Sequence, residues 1–211
     1  MTAAIDNDVL LKAVSYDLVE ELLPSLDTLA CLGSARFVLT EWLRRRLEPA
    51  DSIAALGRLT ITLAGIDVIE PTREEQEMAA DLEYLAQINA LSLDSGESQL
   101  CAVVVTRAYE FLLTGDKRAV VAIERLLALD ARLLGLLRKV RCLEHLVVQA
   151  IERYGHDKLR VAVCGHPDVD KVLSIVFSCA SGISTRSNAL QGLASYLEDL
   201  RVYAGRVMAS S

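Results

Sequence analysis

Residues 91–118 read LSLDSGESQLCAVVVTRAYEFLLTGDKR, and this stretch decides the fold. It opens as a loop carrying Asp94 and Glu97, continues as a helix, and closes as a short strand, Glu110–Thr114. That strand runs into Gly115 and Asp116. Asp94 and Glu97 stand three apart at a helix start, so both carboxylates project from its first turn. Asp116 follows a strand, and α/β sheets bind ligands at the carboxyl ends of their strands. Carboxylates gathered at such junctions repel one another unless a positive charge neutralises them. A hard divalent cation is the candidate. A plainer reading stands beside it. Asp94 and Glu97 also fit a capping box, and Asp116 fits the cap of a helix beginning at Lys117.

Working outward, Thr2–Ile5 is a short apolar run that reads as the first, central strand, delivering Asp6 and Asp8 to its carboxyl end. Helices are expected over 9–12 and 16–23, with a break near Pro24, then over 34–47 and 51–63. A strand is expected at Gly65–Ile69, and Thr72 with Glu75 predicts a capping box for a helix reaching about Asn89. After the opening stretch come a long aliphatic helix over 117–137, a strand over Lys139–Leu143 and a helix to Tyr154. Strands alternating with helices predict a parallel sheet of four to five strands, helices on both faces. Beyond Gly155 the pattern turns wholly helical, over 158–164, 169–178 and 188–207. Residues 1–154 therefore read as one α/β domain and 155–211 as a helical C-terminal extension packed on it.

Composition narrows the functional classes. The chain has 211 residues, 52% of them apolar and 5% aromatic, enough for a sizeable aliphatic core. A net charge of −7 excludes a broadly basic surface that coats nucleic acid. Five widely spaced cysteines, none in a CxxC pair, read as buried reduced thiols rather than zinc ligands or disulfides. The start MTAAIDND does not read as a signal peptide, and no apolar run spans a bilayer, so a cytoplasmic protein without membrane contact is expected. There is no Walker or GxGxxG loop. His145, His156 and His166 read as structural or surface residues.

IDNDVL after a first strand, a glutamate in FVLTEWL, LDSGE opening a helix and LLTGD closing a strand resemble the PIN-domain nucleases. The resemblance covers roughly residues 1–145, and the tail has no counterpart in the minimal domain. It implies a three-layer fold and a metal-dependent phosphodiesterase acting mainly on RNA, with acidic residues holding Mg²⁺ or Mn²⁺. Asp6 matches the first-strand aspartate, Glu41 the helical glutamate, Asp94 or Glu97 the third acidic position and Asp116 the fourth. Asp6, Asp94 and Asp116 are then the metal ligands. Asp8 stands where the family commonly has asparagine, and Thr114 where it often has a hydroxyl.

Independently of any family, phosphodiester hydrolysis needs an activated water and counter-charge on the phosphoryl oxygens. A divalent ion supplies both, and lets an acidic pocket accept a polyanion. Arg44, Arg45, Lys117 and Arg118 are the basic candidates for phosphate contact, although an arginine run on a helix is more often a solvated face. The expected partners are an RNA substrate, a second copy of the chain, or an antitoxin-like protein as for a toxin of the VapC kind. This chain is longer than such toxins. The alternative is a non-catalytic PIN-like module that binds a protein or nucleic acid through its helical tail.

Overall fold

The first strand, β1 (Thr2–Ile5), lies in the middle of the sheet, between β2 (Thr28–Leu32) and β4 (Phe111–Thr114). The computed structural model describes residues 2–23 and 28–209; the break expected near Pro24 lies outside them. Among the described residues the sheet has five strands, ordered β3-β2-β1-β4-β5, with β3 at Asp67–Ile69 and β5 at Val140–Cys142. Every pairing is parallel. The protein is an α/β fold with a central parallel sheet flanked by helices.

Both faces of the sheet are covered, as a parallel sheet requires, and successive side chains serve opposite faces. Ala3, Ile5, Cys31 and Leu113 enter one core. They meet α1 (Asn7–Ser15), α2 (Val19–Leu22), α3 (Ala35–Arg46) and α4 (Pro49–Ala64). Ala4, Ala30, Leu32, Leu112 and Val140 enter the other core. There they meet α5 (Arg73–Ile88), α6 (Ser95–Thr106) and α7 (Lys117–Leu126). Each buried Leu or Ile contributes about 1.5–3 kcal/mol of transfer free energy.

The tail belongs to both cores. Helix α8 (Leu143–Tyr154), ahead of the tail, buries Leu146 and Ile151 on the first face, and the tail helices α9 (His156–Gly165) and α10 (Lys171–Val176) bury Leu159, Val163, Leu173 and Val176 there. Helix α11 (Arg186–Ala204) passes from one face to the other, with Leu193 in the first cluster and Leu197 and Leu200 in the second. The chain then closes on the sheet edge, where Val140 N donates to Val207 O at 2.9 Å and Ala209 N to Val140 O at 2.8 Å.

Three local expectations are corrected. Strand β2 was not expected; its run TLACL is short and carries Ala and Cys, which mark a strand weakly. The long helix over 117–137 ends at Leu126, and Asp130 instead caps a 3-10 helix, Ala131–Leu136, by accepting from Arg132 N at 2.9 Å. The reading of five reduced thiols holds for Cys31, Cys101 and Cys142, which are free and buried, and fails for the other two. Cys164 and Cys179, 15 residues apart, form a disulfide, because the turn through α10 brings their Cα atoms to 5.1 Å. A reducing compartment would hold this pair as thiols. Reduction with dithiothreitol is expected to cost about 3 kcal/mol for a loop of this length. Urea melts with and without reductant check it; superimposable curves would show that the bond constrains nothing.

Candidate active site

Asp6 extends the β1–β4 ladder by one step, its amide donating to Leu113 O at 2.9 Å. Its carboxylate caps α1, accepting from Asn7 N at 2.7 Å through Oδ1, and accepts from Thr114 Oγ1 at 3.3 Å through Oδ2. Asp116 follows β4, its amide donating to the same Thr114 hydroxyl at 3.2 Å. It caps α7 by accepting from Arg118 N at 2.7 Å. Asp94 and Glu97 form the reciprocal capping box of α6: Glu97 N donates to Asp94 Oδ1 at 2.8 Å and Asp94 N to Glu97 Oε2 at 2.9 Å. The plain reading of these residues as caps is therefore met. The caps also converge. Asp6, Asp8, Asp94, Glu97 and Asp116 line one cleft of about 690 Å³ at the carboxyl ends of β1 and β4. The strand order reverses between those two strands, so this crevice is the topological switch point of the sheet. Three helix N-termini, those of α1, α6 and α7, open on it, and their partial positive charges temper the repulsion.

The repulsion still shows. Burial, then the charges of Asp8 and Asp94, push the Asp6 carboxyl up to about 6. Burial, then the charges of Asp94, Asp6 and Asp116, push Glu97 up to about 8. Burial also works upward on Asp116, but bonds from Arg118 outweigh it and hold that carboxyl below its ordinary value. Both raised groups have ordinary values near 4, 3.8 for Asp6 and 4.5 for Glu97, so at neutral pH the folded chain binds protons the unfolded chain has released. Stability then falls as pH rises. The metal-free protein is expected to lose stability, on the order of 5 kcal/mol, between pH 4.5 and 8.5. Glu97→Gln, which keeps the capping box, should flatten the profile. A melting temperature that climbs with pH over this range contradicts the assignment.

Glu41 does not join the cleft. It is exposed on α3, pairs with Arg45 at 2.9 Å and lines a neighbouring groove of about 940 Å³ with Arg36, Phe37 and Arg44. The cleft takes Ser34 and Val38 from this part of the chain; Glu41 stands one turn beyond Val38, paired with Arg45 and lining the groove. Lys117 is drawn away as well, paired with Glu144 at 2.7 Å and lying over the Tyr196 ring at 4.4 Å. Arg118 stays at the cleft, on Asp116 at 2.7 Å. Arg44 and Arg45 lie on the groove side.

Sequence reasoning missed Lys12, which lines the cleft and bridges Asp8 at 2.5 Å and Asp170 at 2.8 Å. The i,i+4 spacing of Asp8 and Lys12 was a readable signal. Asp170, in the tail, gave none.

The carboxylates fit a hard cation in kind. Mg²⁺ and Mn²⁺ take oxygen donors, and Mg²⁺ needs only one or two carboxylates beside its waters. As the side chains lie, turned toward their caps, no group of three or more His, Cys, Asp or Glu among the described residues is arranged to hold a metal ion. Asp6, Asp94 and Glu97 receive hydrogen bonds from amides and the Thr114 hydroxyl, not from a cationic side chain.

No family model matches this chain, and no curated protein sequence does. A solved structure, VapBC2 from Rickettsia felis bound to a DNA fragment from its promoter, is similar over 55% of this chain and 89% of the matched chain. The TM-score is 0.42 and the identity 13%. Among the described residues no helix is long and apolar enough to cross a membrane.

Proposed function

We propose that this chain is a PIN-like, Mg²⁺- or Mn²⁺-dependent nuclease that hydrolyses phosphodiester bonds in RNA. One observation carries the reading: Asp6, Asp94, Glu97 and Asp116 gather in a single cleft at the switch point of the sheet. Asp6 with Asp94 or Glu97 would hold the cation, joined by Asp116 once Arg118 leaves it. Arg118 is exposed, so water readily replaces it on Asp116. When bound, the ion supplies Lewis acidity toward the phosphoryl oxygens and toward an attacking water. Thr114 Oγ1 fixes the Asp6 carboxylate. Glu97, pushed up to about 8 in the metal-free cleft, would give up that proton once a cation offsets the charges of Asp94, Asp6 and Asp116. Arg118, released from Asp116, moves to a phosphate. Arg36, Arg44 and Arg45 give the RNA backbone a basic path along α3.

A second reading, the non-catalytic module, is favoured by the groove between α3 and α4. Its floor is apolar, and Phe37 and Val68 on its lining are mostly exposed, as on a surface that takes a protein partner. The tail buries much of its apolar surface in the two cores but leaves Val161, Ile175, Ile183 and Val202 exposed, so such a partner, an antitoxin-like protein or a second copy, has this groove as well as the tail to bind. Incubation with matched RNA and single-stranded DNA oligonucleotides separates the readings. Mn²⁺-dependent cleavage of the RNA, stopped by a chelator, is the expected result. Intact RNA under all divalent conditions would overturn the nuclease and leave the module.

A further inference from the structure

The carboxylates around the cleft fall into two sets, and the division goes beyond the acidic cluster itself. Asp6, Asp94 and Glu97 have no cationic partner in their hydrogen bonds. Asp8 and Asp116 each already face a fixed or tethered cation. Arg118 on Asp116 is exposed and free to swing. Lys12 is different, for the whole residue is only 8% exposed, rare for a lysine.

Two carboxylates from different parts of the chain hold its ammonium in place. One helical turn back on α1, Asp8 Oδ2 lies 2.5 Å from Nζ. From the tail, Asp170 Oδ2 lies 2.8 Å away, while Asp170 Oδ1 caps α10 by accepting from Leu173 N at 2.9 Å. The segment that carries Asp170 is closed by the Cys164–Cys179 disulfide. Behind Asp8 stands Gly115, where a β-carbon would collide with the Asp8 carboxylate and lie 3.2 Å from Nζ. Burial works against the lysine's charge, but Asp8 and Asp170 outweigh it.

We infer that the cleft is a one-metal site in which the Lys12 ammonium, positioned by Asp170 from the tail, takes the place a second divalent ion would occupy beside Asp8. This rests on the metal-dependent reading above and deepens it. The tail then does more than cover the sheet: it supplies the residue that keeps a cation of the chain's own at the cleft. Lys12 is a positioning residue, since it acts by fixing Asp8 and excluding an ion.

Mn²⁺ stoichiometry, measured by calorimetric titration and by electron paramagnetic resonance of the full chain, tests it without recourse to activity. Wild type is expected to bind one Mn²⁺, Lys12→Met two, and Lys12→Arg one. Should Lys12→Met fail to fold without metal, Mn²⁺ is expected to restore its melting transition, and failure to restore it overturns the inference. Two ions bound by wild type, or one bound by Lys12→Met at unchanged affinity, also overturns it while leaving the nuclease reading intact. No Mn²⁺ uptake by either protein removes both.

Discussion

Asp6→Asn is expected to lower Mn²⁺-dependent RNA cleavage by roughly 10³-fold, a loss of about 4 kcal/mol of transition-state stabilisation. Asp6 leaves the central strand at the switch point, and its Oδ2 is the carboxylate oxygen fixed by Thr114. Asparagine keeps the shape and can still cap α1, so the fold should survive. At pH 8 the metal-free variant should be more stable than wild type by about 1–2 kcal/mol, because a carboxyl raised from 3.8 to about 6 is a strained anion there. Single-turnover cleavage of a labelled RNA together with thermal melts reads both effects. Equal cleavage by variant and wild type would assign the activity to a contaminant.

Arg107→Met is expected to cost about 3 kcal/mol of stability. Glu75 is 2% exposed and carries the capping box of α5 with Thr72. It accepts from Arg107 Nε at 2.7 Å, Arg107 Nη2 at 2.8 Å and Thr106 Oγ1 at 2.7 Å. This lock ties the start of α5 to the end of α6, and α6 carries Asp94 and Glu97 at its other end. Removing the guanidinium leaves a buried carboxylate without its cation. The Arg107 hydrogen bonds, the largest influence, hold Glu75 at about 2, below its ordinary 4.5. Its contribution is therefore present above pH 4.5 and is lost as pH falls through 2. Urea melts at pH 7 and pH 3 should show the gap between variant and wild type narrowing in acid. A gap that widens there would contradict the role given to this pair.

The parts of this molecule legible in its sequence are those written in local chemistry. A carboxylate that ends a strand and caps the next helix leaves a short, readable pattern, as in IDND, LDSGE and LLTGD. Those patterns located Asp6, Asp94, Glu97 and Asp116, and the capping box of Thr72 and Glu75 was readable for the same reason. Strand β2 escaped because TLACL has neither alternation nor branched residues in quantity. Glu41 matched by pattern, yet it pairs with Arg45 and lines the α3–α4 groove rather than the cleft. The Cys164–Cys179 bond and the Lys12–Asp170 pair depend on how the tail folds back, and no local spacing encodes that. The cleft's acidic half and the Asp8–Lys12 spacing were thus readable, and the tail's hold on Lys12 was not.

A crystal grown with Mn²⁺ and measured at the manganese absorption edge locates the ion. One anomalous peak is expected in the cleft, within roughly 2.0–2.6 Å of an Asp6 carboxylate oxygen and of Asp94 or Glu97. No peak in the cleft at saturating Mn²⁺ would contradict the assignment of these carboxylates to a metal-dependent nuclease.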